Sequence, residues 1–164
     1  MTLSLNTGLN AFFMYNLSRV YTINEDFKAD IASIALEKRI EADNIKLPPI
    51  KIVKFISAYA YAKPSQVVFT GSTLLIFVNL GAIKDLAKSE LEAVIAHEIG
   101  HYLLGHLDYF GPNSYAGASD FDKEIQADAF ATVYAGKSAV LSAVTKLVWD
   151  SDEKDARLKA LEKK

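Results

Sequence analysis

Two histidines and a glutamate stand at a spacing that suits metal-dependent hydrolysis. The sequence runs His97-Glu98-Ile99-Gly100-His101, so the two imidazoles are four residues apart. On an α-helix such residues lie one turn apart and about 40° apart around the axis, which lets both rings reach one ion. Glu98 lies to the side, where it can contact a water molecule on that ion. This is the geometry of the H-E-x-x-H pattern.

Composition restricts what else could hold such an ion. Cys is 0, which excludes disulfides and thiolate ligands, and His is 3, at His97, His101 and His106. Lys+Arg 18 against Asp+Glu 20 gives a net charge of -2, which argues against nucleic-acid or anionic-membrane partners. With 51% hydrophobic and 23% charged residues, the 164-residue chain is expected to be one globular domain.

A catalytic zinc ion takes three protein ligands and leaves one position for water. Glu124 and Asp128 are four residues apart on one face of a predicted helix that has little polar surface otherwise. We therefore expect Glu124 to bind the ion and Asp128 to accept a hydrogen bond from a ligand imidazole. Leu104 and Leu107 stand where a metzincin would need Gly and His, which excludes that class. The other carboxylates and imidazoles considered as third ligand are His106, Asp108, Asp120 and Asp122.

Apolar periodicity and turn residues predict the elements that carry these side chains. The pattern S-x-x-E at Ser89–Glu92 predicts a capping box at the start of the H-E-x-x-H helix, and Gly105 is expected to end it. Lys63 to Gln66 are expected to form a turn, and the last helix is expected to be solvated. The predicted helices cover 24–42, 89–104, 120–135, 138–148 and 151–164. The predicted strands cover 50–57, 67–70 and 74–78, and the chain is expected to continue extended over 58–62.

The order of helix, sheet and further helices indicates an α+β protein with a small mixed or antiparallel sheet. We expect a single domain over 1–164, with an N-terminal subdomain over about 1–106 and a helical C-terminal subdomain over about 107–164. The apolar stretch 67–83 is too short and too interrupted to span a membrane. The N-terminus lacks the basic start of a secretory signal. The expected protein is therefore soluble and cytoplasmic, without a membrane span.

Two segments resemble a known family: VVFTGSTLLIFVNLGAIKDLAKSELEAVIAHEIGHYLLGH and, further on, KEIQADAFA. They are similar to the HtpX-like and CAAX-prenyl-protease-like gluzincin metallopeptidases, over about residues 57–135. The resemblance implies a zincin-like fold and one Zn2+ ion held by His97, His101 and Glu124. It also implies that Glu98 is the general base and that Asp128 supports a ligand. The short separation of His101 from Glu124 resembles the compact soluble minigluzincins, and also the ImmA/IrrE-type regulatory peptidases.

The implied reaction is hydrolysis of peptide bonds in a peptide or an unfolded protein by zinc-activated water. A second donor to the developing oxyanion is expected. The candidates Tyr115, Tyr134 and His106 stay open. Members of this family pair an extended substrate with an edge strand, and Ser57-Ala58-Tyr59-Ala60 stands where they have N-A-F-A. We therefore expect Ala58 and Ala60 to contact the substrate.

Two other functions compete with an active peptidase. A zinc-binding regulatory or interaction module would hold a structural ion with four ligands, and His106 is the only further histidine. A latent peptidase would be covered by its own terminal segment, either 151–164 or the aromatic segment 1–22 with Phe12, Phe13 and Tyr15. Loss of cleavage in Glu98→Ala would separate the enzyme from the module.

Overall fold

The computed structural model describes residues 28–56, 63–107 and 120–163. Helices and a small sheet make up an α+β protein, in the chain order that the sequence predicts. The elements are α1 (Lys28–Ala42), β1 (Ile50–Phe55), β2 (Ser65–Phe69), β3 (Leu74–Asn79), α2 (Leu80–Ile83), α3 (Lys88–Leu103), α4 (Asp120–Ala135), α5 (Lys137–Leu147) and α6 (Ser151–Glu162).

The three described strands form a mixed sheet in the order β1-β3-β2. The central strand β3 runs parallel to β1 and antiparallel to β2. The side chains of Leu74, Ile76 and Val78 on β3 are 0% exposed, so the middle of the sheet belongs to the core. The turn predicted over 63–66 is too long, because Ser65 already pairs with Val78 and starts β2.

Helix α3, which carries the H-E-x-x-H sequence, lies at the centre of the molecule. It contacts α1, α4 and α5 as well as β2. Leu91, Val94 and Ala96 are buried and point to different sides of this helix. The prediction of a helix surrounded by core is therefore confirmed, and polar side chains in its middle must find partners inside the protein.

The predicted capping box at Ser89–Glu92 is wrong in register. The helix starts at Lys88, and the Glu90 carboxylate accepts the backbone N–H of Ala87 at 2.7 Å. Because alanine has no polar side chain, only one half of the reciprocal cap can form. Glu92 instead accepts a hydrogen bond from Arg39 on α1, at 2.5 Å.

The last helix is not simply solvated. Arg157 and Leu161 on one face of α6 are buried against the other C-terminal helices. Its start is capped by Asp150, which accepts the backbone N–H of Glu153 at 2.8 Å. A segment of mixed charge predicts a solvated helix. In α6, however, every third or fourth residue is apolar or pairs with a group inside the protein, and this spacing lets one face of the helix pack against its neighbours. Within the described segments, no helix has the length and apolar character needed to cross a bilayer.

Candidate metal centre

His97 and His101 lie on consecutive turns of α3, and their rings meet as the spacing predicts. The two Nε2 atoms are 3.0 Å apart, and both side chains are only slightly exposed. Two ring nitrogens at that distance point at each other, so at most one of them can carry a proton. A cation between them would accept both lone pairs at once.

Glu124 on α4 adds a carboxylate to these two nitrogens. Its Oε2 atom lies 3.0 Å from Nε2 of His97, and its Oε1 atom lies 3.5 Å from Nε2 of His101. Zinc bonds of 2.0–2.1 Å at tetrahedral angles would separate ligand atoms by about 3.3 Å. The three side chains therefore fit a zinc ion. In the part of the chain that the structure describes, they form the one group able to hold a metal.

Gly100 lets α4 approach α3 closely enough to deliver Glu124. A Cβ atom at this position would lie 3.1 Å from Cδ1 of Phe130 and 3.3 Å from the carbonyl oxygen of Ala127. Any larger residue would therefore push the two helices apart by a few tenths of an ångström or more. The glycine inside the H-E-x-x-H sequence thus has a packing role beside the catalytic pattern.

Asp128, one turn along α4 from Glu124, holds the ring of His97 from behind. Its Oδ1 atom accepts the Nδ1–H of His97 at 2.9 Å, and its side chain is 2% exposed. With the proton held on Nδ1, the Nε2 lone pair of His97 faces Glu124 and His101. This is the contact that the sequence predicts for Asp128.

Arg157 on α6 is a residue of this centre that the sequence analysis missed. Its Nε and Nη2 atoms donate to the two oxygens of Asp128, each at 2.7 Å. Its Nη1 atom donates to Oε2 of Glu124 at 3.1 Å. One guanidinium group therefore orients both carboxylates, with two parallel bonds to the more deeply buried one. Nothing in the local sequence around Arg157 signals this contact across 29 positions.

The charges of these groups depend on one another. Burial disfavours the charged imidazolium of His97, but Asp128 and Glu124 outweigh it and raise its pKa to about 10. Burial would raise the pKa of Glu124, yet hydrogen bonds from His101 and His97 and the charge of Arg157 hold it well below its ordinary value. The paired charges also outweigh burial at Asp128, whose pKa is lowered, and at Arg157, whose pKa is raised. Without a cation, the raised pKa of His97 favours its protonated form at neutral pH.

Glu98 is buried beside the two histidines and is held by β2. Its Oε1 atom accepts the hydroxyl hydrogen of Ser65 at 2.6 Å. Both side chains are less than a tenth exposed. Ser65 was not predicted as a site residue, because it falls in the stretch expected to be a turn. A serine just before a predicted strand carries no signal for a partner 33 residues away.

His106 is buried next to His101, on the side of that ring that faces away from the other ligands. The two Nδ1 atoms are 3.1 Å apart, and Nε2 of His106 lies 3.3 Å from Oε1 of Gln126. Burial, reinforced by the charges of His101 and Lys123, lowers the pKa of His106. His106 therefore lies at the site, but it does not point toward the space between the Nε2 atoms.

The remaining predicted site residues lie elsewhere. The Tyr134 hydroxyl donates to Asp43 at 2.9 Å, and its ring packs on Phe130, outside the cavity at the metal centre. The structure therefore removes the support for Tyr134 as an oxyanion donor. Tyr115, Ala58 and Ala60 lie outside the described residues.

A cavity of about 830 Å³ opens onto these side chains. Its lining includes residues of β2, the three candidate metal ligands and Glu98. Buried apolar residues of α5 also line it, namely Val140, Ala143, Val144 and Leu147. The side chains of the candidate metal centre and an edge strand of the described sheet therefore line one cavity.

The comparisons with known proteins agree with this centre. A site of this kind, on an α+β scaffold, defines a class of metal-dependent hydrolases. Residues 24–110 match the sequence profile of Peptidase family M48, which is more than half of the chain. The chain therefore belongs to peptidase family M48, whose members are zinc metalloproteases.

A relative points the same way over a shorter stretch. Seventy-two residues are 32% identical to "Protease HtpX" of Pseudoalteromonas atlantica. The match covers 44% of this chain and only 23% of that protein, so the chain spans about a quarter of the curated relative. No solved structure is significantly similar.

Proposed function

We propose that this protein is a zinc-dependent endopeptidase with His97, His101 and Glu124 as metal ligands and Glu98 as general base. The observation that carries the proposal is the set of ligand atoms that lie 3.0 to 3.5 Å from one another, with Glu98 on the same helix. Membership of peptidase family M48 supports the reaction class. A zincin-like arrangement of sheet and helices and a soluble, cytoplasmic location stay predictions, as does the division into two subdomains near residue 106.

The roles of the side chains follow from their contacts. When bound, zinc would polarise the substrate carbonyl and lower the pKa of a bound water to about 7. Glu98 accepts the proton of the attacking water and returns it to the leaving amine. The hydroxyl of Ser65 holds the carboxylate of Glu98 in one orientation. Asp128 and Arg157 keep the Nε2 lone pair of His97 directed at the ion.

We place the substrate backbone along β2. This strand is at one edge of the described sheet and lines the cavity that contains Glu98. An extended peptide could add to this edge by main-chain hydrogen bonds, next to the imidazoles and carboxylates that line the same cavity. The sequence analysis assigned this contact to Ala58 and Ala60, which lie outside the described residues, and β2 is an alternative that the geometry supports.

The competing functions gain less from the structure. A closed structural zinc site needs a fourth ligand. His106 lies behind the ring of His101 and away from the Nε2 atoms. A position for water is thus open among the described side chains, which favours catalysis.

A latent enzyme covered by 151–164 is disfavoured because Arg157 on α6 supports Asp128 and Glu124. Removing that segment should therefore lower activity. The segment 1–22 lies outside the described residues.

The test is cleavage of casein and of unstructured peptides by the zinc-loaded protein, with and without the general base. Glu98→Gln keeps the shape of the side chain, so we expect zinc content to stay the same while the rate falls by about 100-fold or more. Glu92→Gln is the matched control, because Glu92 lies on the same helix and contacts Arg39 instead. Equal cleavage by wild type and Glu98→Gln would overturn the assignment. Tightly held zinc without cleavage by any variant would favour the regulatory module.

A further inference from the structure

The end of α3 returns the chain to the ring of His101. Gly105 adopts a positive φ of 73°, a conformation that glycine reaches without a steric penalty. The backbone N–H of His106 then donates to the carbonyl oxygen of His101 at 2.9 Å, which closes the helix. This turn brings the buried side chain of His106 against the imidazole of His101.

The contact between the two rings fixes where their protons lie. The Nδ1 atoms are 3.1 Å apart, so one must donate a hydrogen and the other must accept it. Nε2 of His101 faces Nε2 of His97 and the carboxylate of Glu124. To bind a cation there, Nε2 must be a lone pair, and the hydrogen of His101 must sit on Nδ1. His106 is then the acceptor.

The contact made by Nε2 of His106 is consistent with Nδ1 of His106 being the acceptor. An imidazole that accepts at Nδ1 carries its own hydrogen on Nε2 when it is neutral. Nε2 of His106 lies 3.3 Å from Oε1 of Gln126, an oxygen that can only accept. Gln126 lies on α4, two residues from Glu124. The helix that supplies the third ligand therefore also sets the tautomer of His106.

We propose that His106 is a positioning residue for the metal centre, which accepts the Nδ1–H of His101 and so directs the Nε2 lone pair of His101 at the ion. This inference rests on the proposed function. It replaces the earlier hypotheses of His106 as a fourth ligand or an oxyanion donor. The two ligand histidines would then be held differently, His97 by a carboxylate with its arginine and His101 by a neutral imidazole with an amide.

The first experiment measures zinc affinity by competition with a chromophoric chelator. His106→Leu fills the space without an acceptor, and we expect it to weaken zinc binding by about 10- to 100-fold. His106→Asn places an oxygen near the position of Nδ1, so it should retain most of the affinity. Unfolding of each metal-free variant controls for a general loss of structure, which would weaken both variants and not Leu alone.

The second experiment needs no variant and decides the question if His106→Leu does not fold. Nitrogen-15 spectra of the zinc-loaded wild type should show His101 protonated at Nδ1 and bound through Nε2, and His106 protonated at Nε2. Binding of His101 through Nδ1, a hydrogen on Nδ1 of His106, or a zinc bond to His106 would each overturn the inference.

The outcomes also separate this inference from the proposed function. Equal zinc affinity of wild type and His106→Leu, together with cleavage by the wild type, overturns the positioning role alone. Zinc binding that follows the expected order without any cleavage overturns the peptidase alone. A wild type that binds no zinc overturns both.

Discussion

Each end of α3 takes part in a cluster of polar side chains, and the two clusters differ in their balance of hydrogen-bond donors and acceptors. Near the first turn, Glu90 is 5% exposed and receives hydrogen bonds from the Ala87 backbone, from Ser142 and from Lys146 at 2.8 Å. Near the last turns, His97 and His101 face each other with lone pairs, and Glu124 adds more. The first cluster has enough donors for its oxygens, while the second has an excess of acceptors.

This difference separates a polar cluster that is complete in itself from one that is suited to hold a cation. A carboxylate that is fully supplied with donors fixes how α3 packs on α5 and needs nothing further. A set of acceptors that face one another without enough hydrogens is stable only with a proton or a cation between them. The side chains that α3 contributes to the two clusters are at most 13% exposed, so exposure does not distinguish them. The balance of donors and acceptors does.

The largest effect is expected from replacing the positively charged side chain that a C-terminal helix contributes to each cluster. Arg157→Met would leave Asp128 buried with His97 as its remaining described partner, at a cost of about 3–5 kcal/mol in the free energy of unfolding. Lys146→Met should cost about 1 kcal/mol or less, since the Lys146 side chain is 45% exposed and Glu90 keeps two other donors. Urea unfolding of both variants measures the difference. Similar losses would contradict it.

Removing zinc should affect only the metal centre. At a zinc concentration of 100 times its dissociation constant, binding adds about 2.7 kcal/mol to the free energy of unfolding, which chelation removes. Glu90→Gln should lose the same amount on chelation, whereas Glu124→Ala should show little response. Thermal unfolding at several zinc concentrations tests this, and a zinc response that survives in Glu124→Ala would place the ion elsewhere.

The metal-free protein should also lose stability in alkali. The pKa of His97 is raised from 6.5 to about 10 in the folded state. Its contribution to stability is therefore complete below about pH 6.5 and is lost as the pH rises toward 10. Zinc replaces the proton, so the loaded protein should not show this decline through His97. Unfolding free energies between pH 6 and 10, with and without zinc, measure the contrast.

A smaller effect is expected from Glu90→Gln, which keeps the shape of the side chain and removes its charge. We expect a loss of about 1–2 kcal/mol at neutral pH, from weaker bonds to Lys146, Ser142 and Ala87. Lysine and hydroxyl donors lower the pKa of Glu90 against its burial. Its contribution is therefore present above pH 4.5 and lost as the pH falls, so the variant should be less sensitive to acid. Unchanged acid sensitivity would show that this cluster does not act as described.

What the sequence could predict follows from the range of each interaction. The spacing of His97 and His101 and that of Glu124 and Asp128 lie within one helical turn, where periodicity determines which side chains share a face. The three strands and the helix that ends before Gly136 also follow from local patterns, whereas the parallel pairing of β1 with β3 and the strand order do not. Arg157 and Ser65 are fixed by tertiary packing with partners about 30 residues away, and no local rule finds them. The register of the capping box was predicted wrongly because the helix begins at Lys88, so that Glu90 and not Glu92 accepts the backbone N–H of the N-cap residue, Ala87.

The smallest effect tests whether the positive φ of Gly105 only ends the helix or also serves the metal centre. Gly105 and Gly71 both have positive φ and open space where a Cβ would lie, so alanine at either should cost about 1 kcal/mol through backbone strain alone. Gly71 lies in the turn between β2 and β3, far along the chain from the histidines. Only Gly105→Ala should also weaken zinc binding, because it disturbs the turn that places His106 against His101. Chelator competition on the two variants measures this, and equal zinc affinities would mean that the turn ends the helix without serving the metal centre.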